Sequence, residues 1–119
     1  MIKPLVPLAG ALALGACESA VVCTADIAPS IVAEVRDSLT SAPAATGATL
    51  LVRSAAGGEA TAGPGEELYL YWGPEQAGRF NVTVQKPGYV DWHRSEVRVA
   101  RNRCHVETAR LLVRLRPAG

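Results

Sequence analysis

Histidine, cysteine and aromatic residues are scarce in this chain of 119 residues: two, three and six respectively. Each scarcity narrows what the protein can do. No Cys-x-x-Cys or His-x-x-x-His spacing occurs, so the usual ligand patterns of a zinc site are missing. A site combining Cys23 and Cys104 with His93 or His105 is the one metal alternative. Catalysis needs an oriented nucleophile and base, paired carboxylates or a metal in a cleft. His93 stands two residues from Ser95, but nothing nominates a third group to orient it. Glu66 and Glu67 are adjacent, and in a strand they point to opposite faces. Gly57-Gly58 and Gly63-x-Gly65 lack the strand-to-helix setting of a phosphate loop. The residues therefore predict no catalytic site, no metal and no other cofactor.

Long apolar runs are missing as well. The longest, residues 4–16, would reach about 20 Å as a helix, short of a bilayer core of roughly 30 Å. Charge of one sign is also lacking, with 12 basic against 11 acidic residues. That balance leaves no electrostatic footprint for nucleic acid. The distribution is uneven, however: Arg94, Arg98, Arg101, Arg103, Arg110, Arg114 and Arg116 crowd the last third against Glu96 and Glu107. Solvated outer faces of terminal strands account for them; a stripe facing anionic headgroups or polysaccharide is the alternative.

What is present begins at the N-terminus. Lys3, the apolar run and Leu14-Gly15-Ala16-Cys17 follow the order of a secretory signal. With cysteine at the cut, the arrangement resembles the lipobox of bacterial lipoproteins. The resemblance implies that residues 1–16 are a signal peptide and that Cys17 carries a diacylglycerol thioether as the mature N-terminus. Residues 17–29 then form a lipidated tether, and the membrane is the expected first partner. A membrane helix, weakened by Pro4 and Pro7, and ordinary signal cleavage are the alternatives. One acyl chain holds a protein only marginally, so stable anchoring takes two or more. Glu18 in place of Asp, by the same resemblance, directs the protein to the outer membrane of a Gram-negative envelope.

Removing residues 1–16 from 119 leaves 103, enough for one domain. Once Cys17 is acylated, Cys23 and Cys104 are the remaining thiols, and an exported domain pairs such a couple. Their bond would close a loop of about 80 residues, worth roughly 4–5 kcal/mol in the chain-entropy model.

Beyond residue 29 the pattern alternates with period two, the mark of half-buried strands. Ile31, Ala33 and Val35 alternate with Val32, Glu34 and Arg36. Further strands are predicted at 48–54, 66–72 and 78–86, where Phe80, Val82 and Val84 oppose Asn81, Thr83 and Gln85. Residues 37–47 read as a turn region and 55–65 as a mobile loop, and Pro87-Gly88 makes a turn. Val97 and Val99 mark another strand. In the last, 104–116, Cys104 and Val106 point inward on even numbers but Leu111, Val113 and Leu115 on odd ones. That slip predicts a bulge at 108–110. Together these features predict an all-β domain over residues 30–117, a single antiparallel Greek-key sandwich of about seven strands.

Val35-Arg36-Asp37, Thr40, Pro43, Ala48 and Val52, then Gly78 to Val84 with Pro87-Gly88-Tyr89, resemble the carboxypeptidase regulatory-like domain, a transthyretin-like, Ig-like sandwich. One departure is Ser41-Ala42, where that family commonly has glycine after Thr40. The resemblance implies a non-catalytic accessory beside peptidases, receptors or surface assemblies, and here a cell-envelope protein as partner.

All six aromatic residues lie between 69 and 92. If Leu70 and Trp72 face the core, Tyr69 and Tyr71 share the opposite face. With Trp92 beside them they are the candidate binding residues, since aromatics with a polar handle suit interfaces. Two readings follow: a protein-interaction domain, or a carbohydrate- or small-ligand-binding module. Either way the contact is expected on the tyrosine face or the 55–65 and 73–78 loops, away from the arginine-bearing terminal strands.

Overall fold

The structure is a computed structural model and describes residues 22–23 and 25–119. The expected signal peptide, residues 1–16, and the expected lipidation site, Cys17, lie outside the described residues. Among the described residues there are eight strands and no helix. They are β1 (Ile31–Asp37), β2 (Thr49–Ser54), β3 (Glu59–Ala62), β4 (Tyr69–Trp72), β5 (Gly78–Gln85), β6 (Trp92–Arg101), β7 (Val106–Glu107) and β8 (Ala109–Leu115).

They form two sheets packed as a sandwich, with strand orders β4-β1-β8 and β3-β2-β5-β6-β7. Alternation decides which residues enter the core between them. Ile31, Ala33 and Val35 of β1 are fully buried beside Leu70, Leu111, Val113 and Leu115. Leu50, Val52, Phe80, Val82 and Val84 supply the other wall. Across the middle, the rings of Trp72 and Phe80 meet edge to face at 5.0 Å, the geometry that aromatic quadrupoles favour.

The all-β sandwich matches the expectation in class and differs from it in four details. First, β8 runs parallel to β1, from Ile31 opposite Ala109 to Asp37 opposite Leu115, so the sandwich is not wholly antiparallel. Second, residues 55–65 are not simply a loop: β3 pairs with β2, and Ala60 and Ala62 pack against the core. Third, the parity slip near Thr108 marks a change of sheet rather than a bulge. β7 pairs with β6 in the larger sheet, whereas β8 joins β1 in the smaller. Inward positions therefore move from even to odd. Fourth, a bulge does occur, in β6: Phe80 faces Val97 but Val82 faces Arg94. The extra residue is absorbed with Glu96 at φ 58°, and Asn81 Oδ1 accepts the Glu96 N–H at 3.3 Å.

The two ends of the sandwich are fastened differently. At the end where β1 begins, Cys23 and Cys104 form a disulfide with Cα atoms 5.2 Å apart. Ser30, fully buried, donates from Oγ to the Pro74 carbonyl and accepts the Gln76 N–H at 2.8 Å. Thr108 Oγ1 donates to the Pro29 carbonyl at 2.7 Å. At the far end, the Asp37 carboxylate accepts the N–H groups of Leu39 and Thr40 and the Tyr89 hydroxyl, the last at 2.8 Å. Ser41 in that turn has φ 65°; this is the left-handed conformation glycine adopts without penalty.

Candidate functional site

Because β1 lies between β4 and β8, the outward residues of three distant segments form one surface. Tyr71 neighbours Val32, which neighbours Arg110; Tyr69 neighbours Glu34, which neighbours Leu112. Tyr69, Tyr71 and Leu112 are 38%, 58% and 49% exposed, whereas Val32 between its neighbours is only 5% exposed. Glu34 pairs with Arg36 at 2.7 Å, and Arg114 Nη1 donates to Ser41 Oγ at 3.4 Å. A shallow groove of about 210 Å³ runs between Val32, Glu34, Tyr69, Arg110 and Leu112. The face thus sets Tyr69, Tyr71 and Leu112 on its two edge strands around a central strand that carries Val32 and the Glu34–Arg36 ion pair.

Beside β4, the 63–66 segment borders a second groove of about 270 Å³ along Tyr69 and Tyr71. Gly65 permits the approach. A Cβ there would lie 2.7 Å from Leu70 Cδ2 and 2.9 Å from the carbonyl oxygens of Ala45 and Tyr69.

The structure brings Tyr69 and Tyr71 together and places Trp92 elsewhere. The tyrosine rings are 6.0 Å apart and tilted by 39°. Trp92 is on β6 in the other sheet, half-buried against the core, with the Arg94 guanidinium 5.0 Å from its ring. It adds nothing to a tyrosine platform. The expected separation of the tyrosine face from the terminal arginines also fails, since Arg110 and Arg114 share that face. Sequence reasoning missed Val32, Glu34 and Leu112 as its companions, because only the sheet order reveals them.

The outer face of the larger sheet is polar. Thr83 Oγ1 and His93 Nδ1 share a hydrogen bond of 2.9 Å, and Gln85 Nε2 donates to Asp91 Oδ2 at 3.1 Å. Leu51, Arg53 and Asn81 complete a groove of about 420 Å³ with these residues. The apolar opening at Val52, Ala60, Trp72 and Phe80 holds about 200 Å³, below the 300–1,000 Å³ of ordinary small-molecule sites. Among the described residues no three His, Cys, Asp or Glu side chains are grouped to hold a metal ion.

His105 belongs to the disulfide end. Its Nδ1–H donates to Glu75 Oε2 at 2.7 Å, and the same carboxylate accepts the Ala28 N–H at 3.2 Å. The His105 hydrogen bond is the main reason the Glu75 carboxyl lies below its usual range; burial opposes the shift, and the Ala28 N–H adds to it. At the far end the Thr40 N–H lowers Asp37 most, followed by the Tyr89 hydroxyl. The same bond to Asp37 raises Tyr89. These groups tie chain segments together and do not line a cleft.

No protein-family model matches the sequence, and no curated protein matches it.

Proposed function

We propose that this chain is a non-catalytic, lipid-anchored protein of the bacterial cell envelope, and that its carboxypeptidase regulatory-like domain binds a protein partner. The observation carrying the binding role is the outer face of the three-stranded sheet, where exposed Tyr69, Tyr71 and Leu112 lie beside Arg110. Tyrosine and arginine dominate the energetics of protein interfaces. Arg110 and Arg114 favour a partner presenting carboxylates at the rim. The anchoring half rests on Leu14-Gly15-Ala16-Cys17, with Glu18 favouring the outer membrane. Mass spectrometry of the membrane-extracted N-terminus tests it: an unmodified peptide beginning elsewhere than Cys17 overturns it.

The carbohydrate reading is the weaker one. A sugar platform needs aromatic rings that are roughly coplanar, and the two tyrosines are tilted by 39°. In-cell crosslinking with mass spectrometry tests the partner. Tyr69→Ala with Tyr71→Ala is expected to reduce the crosslink about tenfold, the scale of hot-spot truncation, without unfolding the domain. A crosslink unchanged in that variant overturns the assignment of this face.

A further inference from the structure

The most exposed large apolar side chains among the described residues are Val22, Leu39 and Ile27, at 89%, 78% and 74%. Two of the three flank Cys23 in the segment that the disulfide fastens. Arg103 is exposed beside Cys104, the other half of that bond, and Arg101 is exposed nearby with its Nη2 donating to the Glu75 carbonyl oxygen at 2.9 Å. Apolar side chains and guanidinium groups are thus gathered where the chain leaves the domain.

We infer that this disulfide end is a membrane-contact surface, with Val22 and Ile27 seated in the phospholipid interface and Arg103 directed at headgroup phosphates. The inference rests on the proposed acylation of Cys17. Six peptide steps separate Cys17 from Cys23, an extended reach of about 20 Å at most. Without the disulfide, the next fastened residue is Ala28, held by Glu75, and the reach would grow to about 40 Å. The bond therefore shortens the leash and selects which end of the sandwich meets the bilayer. Interfacial seating draws on buried apolar area, and guanidinium groups suit phosphate oxygens. Asp26 and Glu107 offset part of the arginine charge, so the apolar pair and the short leash carry the contact.

The test uses the full lipidated protein in vesicles of phosphatidylethanolamine and phosphatidylglycerol, with and without bromine on the acyl chains. Ile27→Trp places a reporter at the proposed contact and Leu39→Trp places one at the far end. Both sites are exposed, so neither change disturbs the core. Above the signal of native Trp72 and Trp92, bromine should quench the Ile27→Trp emission at least twofold. It should leave the Leu39→Trp emission unchanged. Protein that floats with the vesicles and carries the modified Cys17, yet shows equal quenching at both positions, overturns the contact and leaves the anchor standing. A chain that lacks the modification and stays off the vesicles overturns both.

Discussion

The two ends of the sandwich hold the chain by different physics. The disulfide end relies on a covalent bond and on a buried hydroxyl, Ser30, with both of its hydrogen bonds made. The far end relies on one solvent-accessible carboxylate, Asp37, that gathers two backbone N–H groups and the Tyr89 hydroxyl. In the first arrangement neither the disulfide nor the Ser30 hydroxyl takes up a proton, and the Glu75 carboxylate is bound beside them. The second is titratable from both sides of neutrality. The disulfide end is thereby locked covalently, while the far end is held by contacts that pH can release.

The largest test of this contrast is Cys23→Ser with Cys104→Ser. The bond spans a sequence separation of 81, and its loss should lower stability by about 4 kcal/mol, read from denaturant midpoints. A loss under about 1 kcal/mol would mean that the hydrogen bonds of residues 28–30 suffice. Next comes Ser30→Ala, which strands the Gln76 N–H and should cost about 1–3 kcal/mol. Tyr89→Phe at the far end should lower the melting temperature by less than Ser30→Ala does; the reverse order would invert the comparison.

The pH dependence separates the ends more finely. Asp37 and Glu75 both lie below their usual values when folded. The folded state therefore binds fewer protons, and their contributions are present above about pH 4 and lost as pH falls through the folded values. Tyr89 is raised, so its contribution is complete below about pH 10 and disappears as pH climbs through its folded value. Thermal scans should show an acid decline that Glu75→Gln and Asp37→Asn each flatten, and an alkaline decline that Tyr89→Phe flattens and that Asp37→Asn, which removes the cause of the Tyr89 shift, flattens too. The smallest effect concerns Ser41, whose φ of 65° strains an L-residue by about 1 kcal/mol. Ser41→Gly should raise stability by about 0.5 kcal/mol, part of the relief being offset by the added freedom of the unfolded chain. A loss would show that the Ser41–Arg114 contact matters more.

Strand content was legible where large apolar residues alternate, as at Ile31 to Val35 and Phe80 to Val84. It was illegible in β3, whose Glu-Ala-Thr-Ala sequence carries no large apolar residue; its place comes from pairing with β2. The slip between Val106 and Leu111 was visible, but a bulge and a change of sheet leave the same trace in one dimension. A similar slip, from Trp92 to Val97, carried the signal of the real bulge at Glu96. Parallel pairing of β1 with β8 leaves no mark at all, since alternation is identical in either direction. For that reason the tyrosine pair could be nominated but not its arginine and leucine neighbours: they meet only once β1 is inserted between β4 and β8.

That insertion also governs when the domain can form. Ile31 finds Ala109 and Asp37 finds Leu115, so the seam of the smaller sheet joins the first strand of the described residues to the last. Contacts of such sequence separation form late, because chain closure must precede any gain. A chain delivered vectorially, N-terminus first, holds β1 without its parallel neighbour until residues 109–115 have emerged. The smaller sheet is thus complete only once residues 109–115 are free to lie along β1, so its closure is a late step set by strand order rather than by any local turn.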